Sequence, residues 1–238
     1  MAKLIFDIET AGEDFDSFDE TTKEVLTRWI EYSVPEESDE YEKAVEKVKH
    51  DTVFSPLTSQ IVAIGLLDYE RKKGVVYFQA PDEKIDPFKE GDIEFKPVSE
   101  KEMLEGFWKG VESYNEFISF NGRGFDVPFM MIRSAVHGIR VSKDLMSNRY
   151  LGLQKYGALH VDLQDQLTFY GALARKGMSL HMFARAFGIK SPKADGVSGD
   201  DVTQLFKDKK YLDIARYNVG DLWATRDLYD YWEKYLRF

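Results

Sequence analysis

Apolar and polar positions alternate from the start of the chain. Leu4, Phe6 and Ile8 interleave with Ile5, Asp7 and Glu9, the period-two pattern of a strand over residues 3–8. Between residues 13 and 51 the period lengthens. Val25, Leu26, Trp29 and Ile30, then Tyr41, Ala44, Val45 and Val48, recur at helical spacing. Two β-rich runs, QIVAIGLLD at 60–68 and GVVYFQA at 74–80, flank a charged turn and predict a hairpin. A polar stretch with Pro81, Pro87 and Pro97 follows. Ser99 and Glu102 then make a capping-box signature for a helix whose stripe is Met103, Leu104, Phe107, Trp108 and Val111. Residues 116–120 predict a strand ended by the turn Asn121-Gly-Arg-Gly124. Helices are predicted over 127–137, 163–173, 180–187 and from 211 to near the C-terminus. Strands come first and strand–helix alternation follows, without repeats or low-complexity linkers. The pattern predicts one mixed α/β domain over residues 1–238, with 13–51 as a helical insertion packed on it.

Composition narrows the class. Hydrophobic residues make up 43% of the chain and aromatics 14%, which fits a folded enzyme rather than a disordered segment. There is no cysteine, which excludes disulfides, thiolate catalysis and zinc–thiolate sites. The opening MAKLIFDIET has no signal-peptide core, and no run approaches the roughly 18 apolar residues of a membrane span. The expectation is a cytoplasmic protein with no membrane association and no obligate protein partner.

Charge changes the picture further. A net charge of −10 argues against a broad grip on nucleic-acid phosphates. Yet residues 1–120 carry 14 basic and 29 acidic side chains, whereas residues 121–193 carry 11 and 4. The basic middle reads either as chance clustering on a solvated surface or as a phosphate-contacting face of residues such as Arg123, Arg133, Arg149, Lys155, Arg175 and Lys176. The segment 13–51, with 14 acidic and 5 basic residues, would repel nucleic acid and should lie away from it or shape one rim.

Three carboxylate motifs carry candidate chemistry. In Phe6-Asp7-Ile8-Glu9-Thr10, strand geometry projects Asp7 and Glu9 to one face, where two adjacent carboxylates need a compensating positive charge unless the strand simply ends in solvent. In Ser119-Phe-Asn121-Gly-Arg-Gly-Phe125-Asp126-Val-Pro128 a strand runs into a glycine turn and Asp126 falls where a helix begins. It reads as an N-cap or as a functional carboxylate at a sheet edge, where α/β sheets build sites. In Tyr217-Asn-Val-Gly-Asp221 helical spacing stacks a phenol over a carboxylate. Such a pair is usually an incidental surface contact, although Tyr217 alone of thirteen tyrosines precedes an Asp by four residues.

Taken in order, FDIET, SFNGRGFDVPF and YNVGD resemble the three motifs of the DEDD superfamily of 3′–5′ exonucleases. The chain is most similar to the stand-alone group related to the proofreading domain of family-B DNA polymerases. HVDLQDQLTFYGAL and SPKADGVSGDDV also resemble that group, so the likeness runs from Ile5 to Trp232, weakest over the acidic insertion. The resemblance implies an RNase H-like α/β fold, a mixed central sheet flanked by helices. It implies that Asp7 bridges two metals, that Glu9 and Asp221 complete one site, that Asp126 holds the other through water, and that Tyr217 positions the attacking water. It further implies that Thr10 and Ala11 lie against the 3′-terminal nucleotide, with Asn121 and Phe125 close by.

The chemistry suits those residue types. Two divalent cations about 3.5–4 Å apart acidify water and neutralise the leaving oxygen, and Mg²⁺ or Mn²⁺ prefer carboxylate oxygens. A tyrosine is too weak a base at neutral pH, so Tyr217 is expected to orient water by a hydrogen bond. The sister subgroup places His five residues before the last Asp. His160 and Asp165 meet that spacing, but Asp162 reads as a helix cap between them, and the residue five before Asp221 is Arg216. The tyrosine subgroup is preferred, with Asp162 as a cap or a supporting residue. Single-stranded DNA with a free 3′ end is the expected substrate, from the basic middle and from Phe125, Phe129, Tyr150, Tyr156 and Phe169, which can stack bases although most read as core. The alternatives are an exoribonuclease acting on short RNA, an inactive nucleic-acid-binding module, and a scaffold whose acidic segment binds basic partners.

Overall fold

A computed structural model describes residues 2–33, 38–191 and 199–237. Seven strands form one mixed sheet: β1 (Lys3–Gly12), β2 (Ser59–Asp68), β3 (Lys73–Phe78), β4 (Phe88–Glu90), β5 (Ile93–Pro97), β6 (Glu116–Ser119) and β7 (Leu159–Asp162), in the order β4-β5-β3-β2-β1-β6-β7. The predicted hairpin is β2–β3, antiparallel with Ala63 opposite Phe78. β1 lies antiparallel to β2 and parallel to β6, which is parallel to β7. The fold is RNase H-like α/β, as the motifs implied.

The helices are α1 (Glu20–Ser33), α2 (Asp39–Asp51), α3 (Glu100–Gly110), α4 (Asp126–Val136), α5 (Leu163–Leu167), α6 (Leu180–Phe187), α7 (Val202–Lys207) and α8 (Tyr211–Tyr235). α1 and α2 are the acidic insertion. The capping box at α3 is formed in full: the Glu102 side chain accepts from the Ser99 backbone N–H at 2.8 Å, and Ser99 Oγ accepts from Glu102 N–H. Its stripe of Met103, Leu104, Phe107, Trp108 and Val111 is buried, each such side chain contributing about 1.5–3 kcal/mol relative to exposure.

The sheet separates two cores, and the pleat of β1 sorts its residues between them. Leu4, Phe6 and Ile8 face α3 and α4 with Phe107, Phe117 and Met130. Ile5 faces α8 with Ile214, Leu222 and Tyr229. Asp7 and Glu9 share the Ile5 face, so the strand delivers two acids beneath the long last helix.

The pattern misled in three places. The Pro-marked stretch after residue 80 contains β4 and β5, short strands that extend the sheet edge, with Pro97 at the last position of β5. β7 has only four residues, 159–162, where the pattern predicts no strand. The helix expected over 163–173 stops at Leu167, where Phe169 and Tyr170 adopt φ of 52° and 56° before Gly171 at 98°. Of the stretch SPKADGVSGDDV, residues 192–198 lie outside the described residues.

Candidate active site

Parallel pairing of β1 with β6 covers only Lys3–Ile5 against Glu116–Ile118. Beyond that point the strands part, and the β6-facing edge of β1 needs other partners. Asp126 supplies one. Its Oδ1 accepts the Ile8 backbone N–H at 3.1 Å, and the residue is 3% exposed. Asp126 is therefore not the N-cap that its position suggested. Phe125 occupies that position without a side-chain cap bond, and Asp126 is the first residue of α4, its carboxylate turned across the gap to β1. The turn before it is tight: Asn121 sits at φ 61°, and its carbonyl accepts from Gly124 and Phe125 N–H at 2.9 and 3.0 Å.

Asp162 holds that turn in place. Its carboxylate accepts backbone N–H groups of Asn121 and Arg123, both at 2.9 Å, and of Gln164 and Asp165 at the start of α5. The cap and the supporting residue, posed as alternatives from sequence, are one and the same side chain.

The opposite wall is α8. Gly65 on β2 lies opposite Asp7, and a Cβ there would fall 1.9 Å from Asn218 Oδ1 and 2.8 Å from Leu222 Cδ1. Only glycine lets the helix come this close. That approach brings carboxylate oxygens of Asp7, Glu9 and Asp221 within 4.8 Å of one another. Asn218 Nδ2 donates to Asp7 Oδ2 at 2.8 Å and fixes the carboxylate in the cluster. Asn218 and Gly65 escaped the sequence reading, although an isolated glycine in an apolar strand is a sign of close backbone approach.

Electrostatics set the cluster apart from an ordinary acidic surface. Burial, then Asp221, Asp126 and Glu9, push Asp7 well above the usual carboxylate range, with Asn218 opposing. Burial and Asp221 do the same to Glu9. Asp126 is pushed up to about 7, mainly by burial, against the lowering effect of the Ile8 N–H. Burial, then the charges of Asp221, Glu9 and Asp7, raise the Tyr217 phenol far above its ordinary value, so it stays protonated at neutral pH. Among the described residues, no Lys or Arg forms an ion pair with Asp7, Glu9 or Asp126.

Other sequence candidates fall elsewhere. His160 packs its ring 5.5 Å from that of Phe6, on the face opposite Asp7. Its Nε2 meets Ser119 Oγ at 2.7 Å, its Nδ1 meets the Leu145 carbonyl, and burial lowers it to about 3. Asp165 pairs with Arg149 and Arg175, so the His–Asp spacing builds no second cluster. Thr10 and Ala11 are buried just past a β-bulge, with Thr10 Oγ1 donating to the Val53 carbonyl at 3.1 Å. Asn121 and Phe125 are half-buried, and Phe125 meets the exposed Phe54 edge-on at 6.3 Å. Arg133 does not belong to a phosphate-contacting face: Glu100 grips its guanidinium at 2.6 and 2.8 Å, with His137 on the same carboxylate. Of the five aromatics read mostly as core, Phe129 is buried, whereas Tyr150, Tyr156 and Phe169 are more than half exposed.

The model of a family described as predicted 3′–5′ exonucleases related to the exonuclease domain of PolB matches residues 56–237. The chain belongs to this family. Asp126, Tyr217 and Asp221 lie within the matched span, while Asp7 and Glu9 precede it. No curated protein sequence matches the chain. Among solved structures it is similar to the family B DNA polymerase from the hyperthermophilic archaeon Pyrobaculum calidifontis, with a TM-score of 0.59 and 17% identity. The match covers 98% of this chain and 24% of the polymerase, so the chain spans about a quarter of that protein's length. At that identity the likeness is one of fold. No helix among the described residues is long and apolar enough to cross a membrane.

Proposed function

We propose that this exonuclease removes nucleotides from the 3′ end of single-stranded DNA with the help of two divalent cations, releasing nucleoside monophosphates. The observation that carries the reading is the convergence of Asp7, Glu9 and Asp221 within 4.8 Å, with the Asp126 carboxylate bonded to Ile8, between Asp7 and Glu9 on the strand.

The donor set suits hard cations. It is all carboxylate oxygen, it is largely buried, and its members raise one another's pKa. Asp7, Glu9 and Asp221 would hold one cation, and Asp7 with Asp126 the other, either Mg²⁺ or Mn²⁺. Bound there, such cations acidify water and offset charge on the departing oxygen. The protein's own part is positional. Asn218 holds Asp7 in a single orientation, and the Ile8 N–H does the same for Asp126. Tyr217, protonated and one turn before Asp221, would align the attacking water through a hydrogen bond to its hydroxyl. This favours the tyrosine subgroup, as does the position of His160 behind the sheet. Thr10 and Ala11 would offer backbone to the terminal nucleotide, with Asn121 and Phe125 beside it.

The test uses 5′-labelled single-stranded DNA and RNA of one sequence, incubated with Mg²⁺, Mn²⁺ or EDTA. The expected result is a ladder of DNA shortened from its 3′ end, absent in EDTA and with Asp7→Ala. Shortening of RNA alone would replace the substrate assignment, and undiminished cleavage by Asp7→Ala would overturn the site.

A further inference from the structure

Three arginines from separate parts of the chain converge on one open recess of about 460 Å³, lined by Arg123, Gly124, Met146, Arg149, Asp165 and Arg175. Asp165 is its anchor, a carboxylate only 2% exposed. Arg149 alone neutralises it with a two-pronged contact, Nε to Oδ2 at 3.0 Å and Nη2 to Oδ1 at 2.7 Å. Arg175 nevertheless binds the same carboxylate, adding a charge that Asp165 does not need. Arg123 spends its donors on the carbonyls of Leu145 and Met146 and has no carboxylate within ion-pair distance among the described residues. Among the residues that line the recess, three arginines thus face one carboxylate, with Asp162 and Asp144 acting on Arg123 from outside the lining. Arg149 and Arg175 remain 46% and 38% exposed, so they keep donors for a ligand.

This is unusual placement in a chain of net charge −10, where nothing general draws a polyanion to the surface. The guanidinium fork suits phosphate oxygens. Gly124 lines the recess two residues before Asp126, which limits their separation to about 7 Å of extended chain. An occupant of the recess would therefore lie within reach of a phosphodiester at the acidic cluster. Tyr150, next to Arg149 and 53% exposed, offers a ring face beside it, its own ring braced 4.8 Å from that of Tyr170.

We infer that the Arg123–Arg149–Arg175 recess is a second nucleic-acid site, which grips a backbone phosphate of the strand whose 3′ end lies at the acidic cluster. The identity of the ligand rests on the proposed nuclease reading, whereas the site itself rests on the arginines.

The test separates long from minimal substrates. Arg149→Gln and Arg175→Gln are combined with Asp165→Asn, so that no buried charge is left unpaired, and Arg149→Gln alone serves as a second variant in which Arg175 still covers Asp165. Arg71→Gln, on the β2–β3 turn, matches the triple variant's net change of one charge. Binding of a 5′-fluorescein thymidine 15-mer is followed by anisotropy against salt in EDTA. Cleavage of the p-nitrophenyl ester of thymidine 5′-monophosphate is followed in Mg²⁺. The triple variant should bind the oligomer roughly tenfold or more weakly, and its log–log salt slope should fall by about one phosphate's worth, roughly 0.7. Arg149→Gln should move both in the same direction, cleavage of the ester should stay within about twofold, and Arg71→Gln should change neither. An unchanged salt slope in both recess variants, or equal loss on oligomer and ester, would overturn the inference. If the wild-type protein left both ester and oligomer uncut while the recess variants still lost oligomer binding, the acidic-cluster reading would fail and this one would stand.

Discussion

Asp126→Asn should stabilise the metal-free protein, and by more as pH rises. The Asp126 carboxyl stands at about 7 in the fold against an ordinary value of 3.8. A carboxyl raised on folding binds more protons in the native state than in the unfolded chain between those two values. By linkage, stability then falls as pH rises through the window and is fully reduced above the upper value. About three units at 1.36 kcal/mol each amount to a cost on the order of 4 kcal/mol at pH 8. The part lying between pH 5 and pH 7, on the order of 3 kcal/mol, corresponds to about 6–12 °C of Tm in a chain of this size. Asparagine removes the titration and keeps an oxygen for the Ile8 N–H. His160 has the opposite sign: held near 3 against an ordinary 6.5, it contributes stability above the upper value that is lost as pH falls through that window. Wild type and variant share His160, so the observable is their difference. Thermal melts in EDTA at pH 5 and pH 8 should show Asp126→Asn gaining on wild type by about 6–12 °C between the two. Millimolar Mg²⁺ or Mn²⁺ at pH 8 should reverse the order by stabilising the wild type alone. A difference that stays flat with pH, or shifts towards the wild type in EDTA, would refute the reasoning.

Tyr217→Phe should lower kcat on the DNA oligomer by about 10- to 100-fold, the worth of one positioned hydrogen bond, with little change in KM or melting temperature. Gly65→Ala should cost about 1–3 kcal/mol of stability through overpacking against Asn218 and Leu222. It should also slow cleavage by shifting Asn218 off Asp7, to be read from urea unfolding and single-turnover rates on one preparation. Arg133→Ala leaves the buried Glu100 carboxylate with only His137 and the Ile61 N–H against it and should cost about 3–5 kcal/mol in urea unfolding. Its oligomer salt slope should match wild type, since this arginine faces no phosphate.

The elements that were legible from sequence are those whose burial pattern has one period and whose ends carry caps. α3 announced itself through Ser99, Glu102 and an unbroken stripe, and α8 through 25 residues of helical spacing. β7 and β5 are too short to show alternation, and both are held by neighbouring strands rather than by their own preference. The acidic residues of the cluster could be listed in advance because FDIET, SFNGRGFDVPF and YNVGD resemble, in order, the motifs of a nuclease superfamily, whereas spacing fixed only which side chains share a face. Their meeting could not be read from spacing. It depends on the absent Cβ of Gly65, on the early end of β1–β6 pairing and on Asp162 tying the glycine turn, each a relation between distant segments. Arg133 shows the same limit from the other side: a basic residue in a basic stretch is a surface charge until Glu100, 33 positions earlier, is found against it.

The 2.8 Å bond from Asn218 to Asp7 joins residues 211 positions apart. Ribosomal synthesis makes the first two acids early and the fourth near the end, so Asp7 meets Asn218 only after α8 has been made. A partly made chain on the ribosome therefore carries no complete centre, however well its strands have formed.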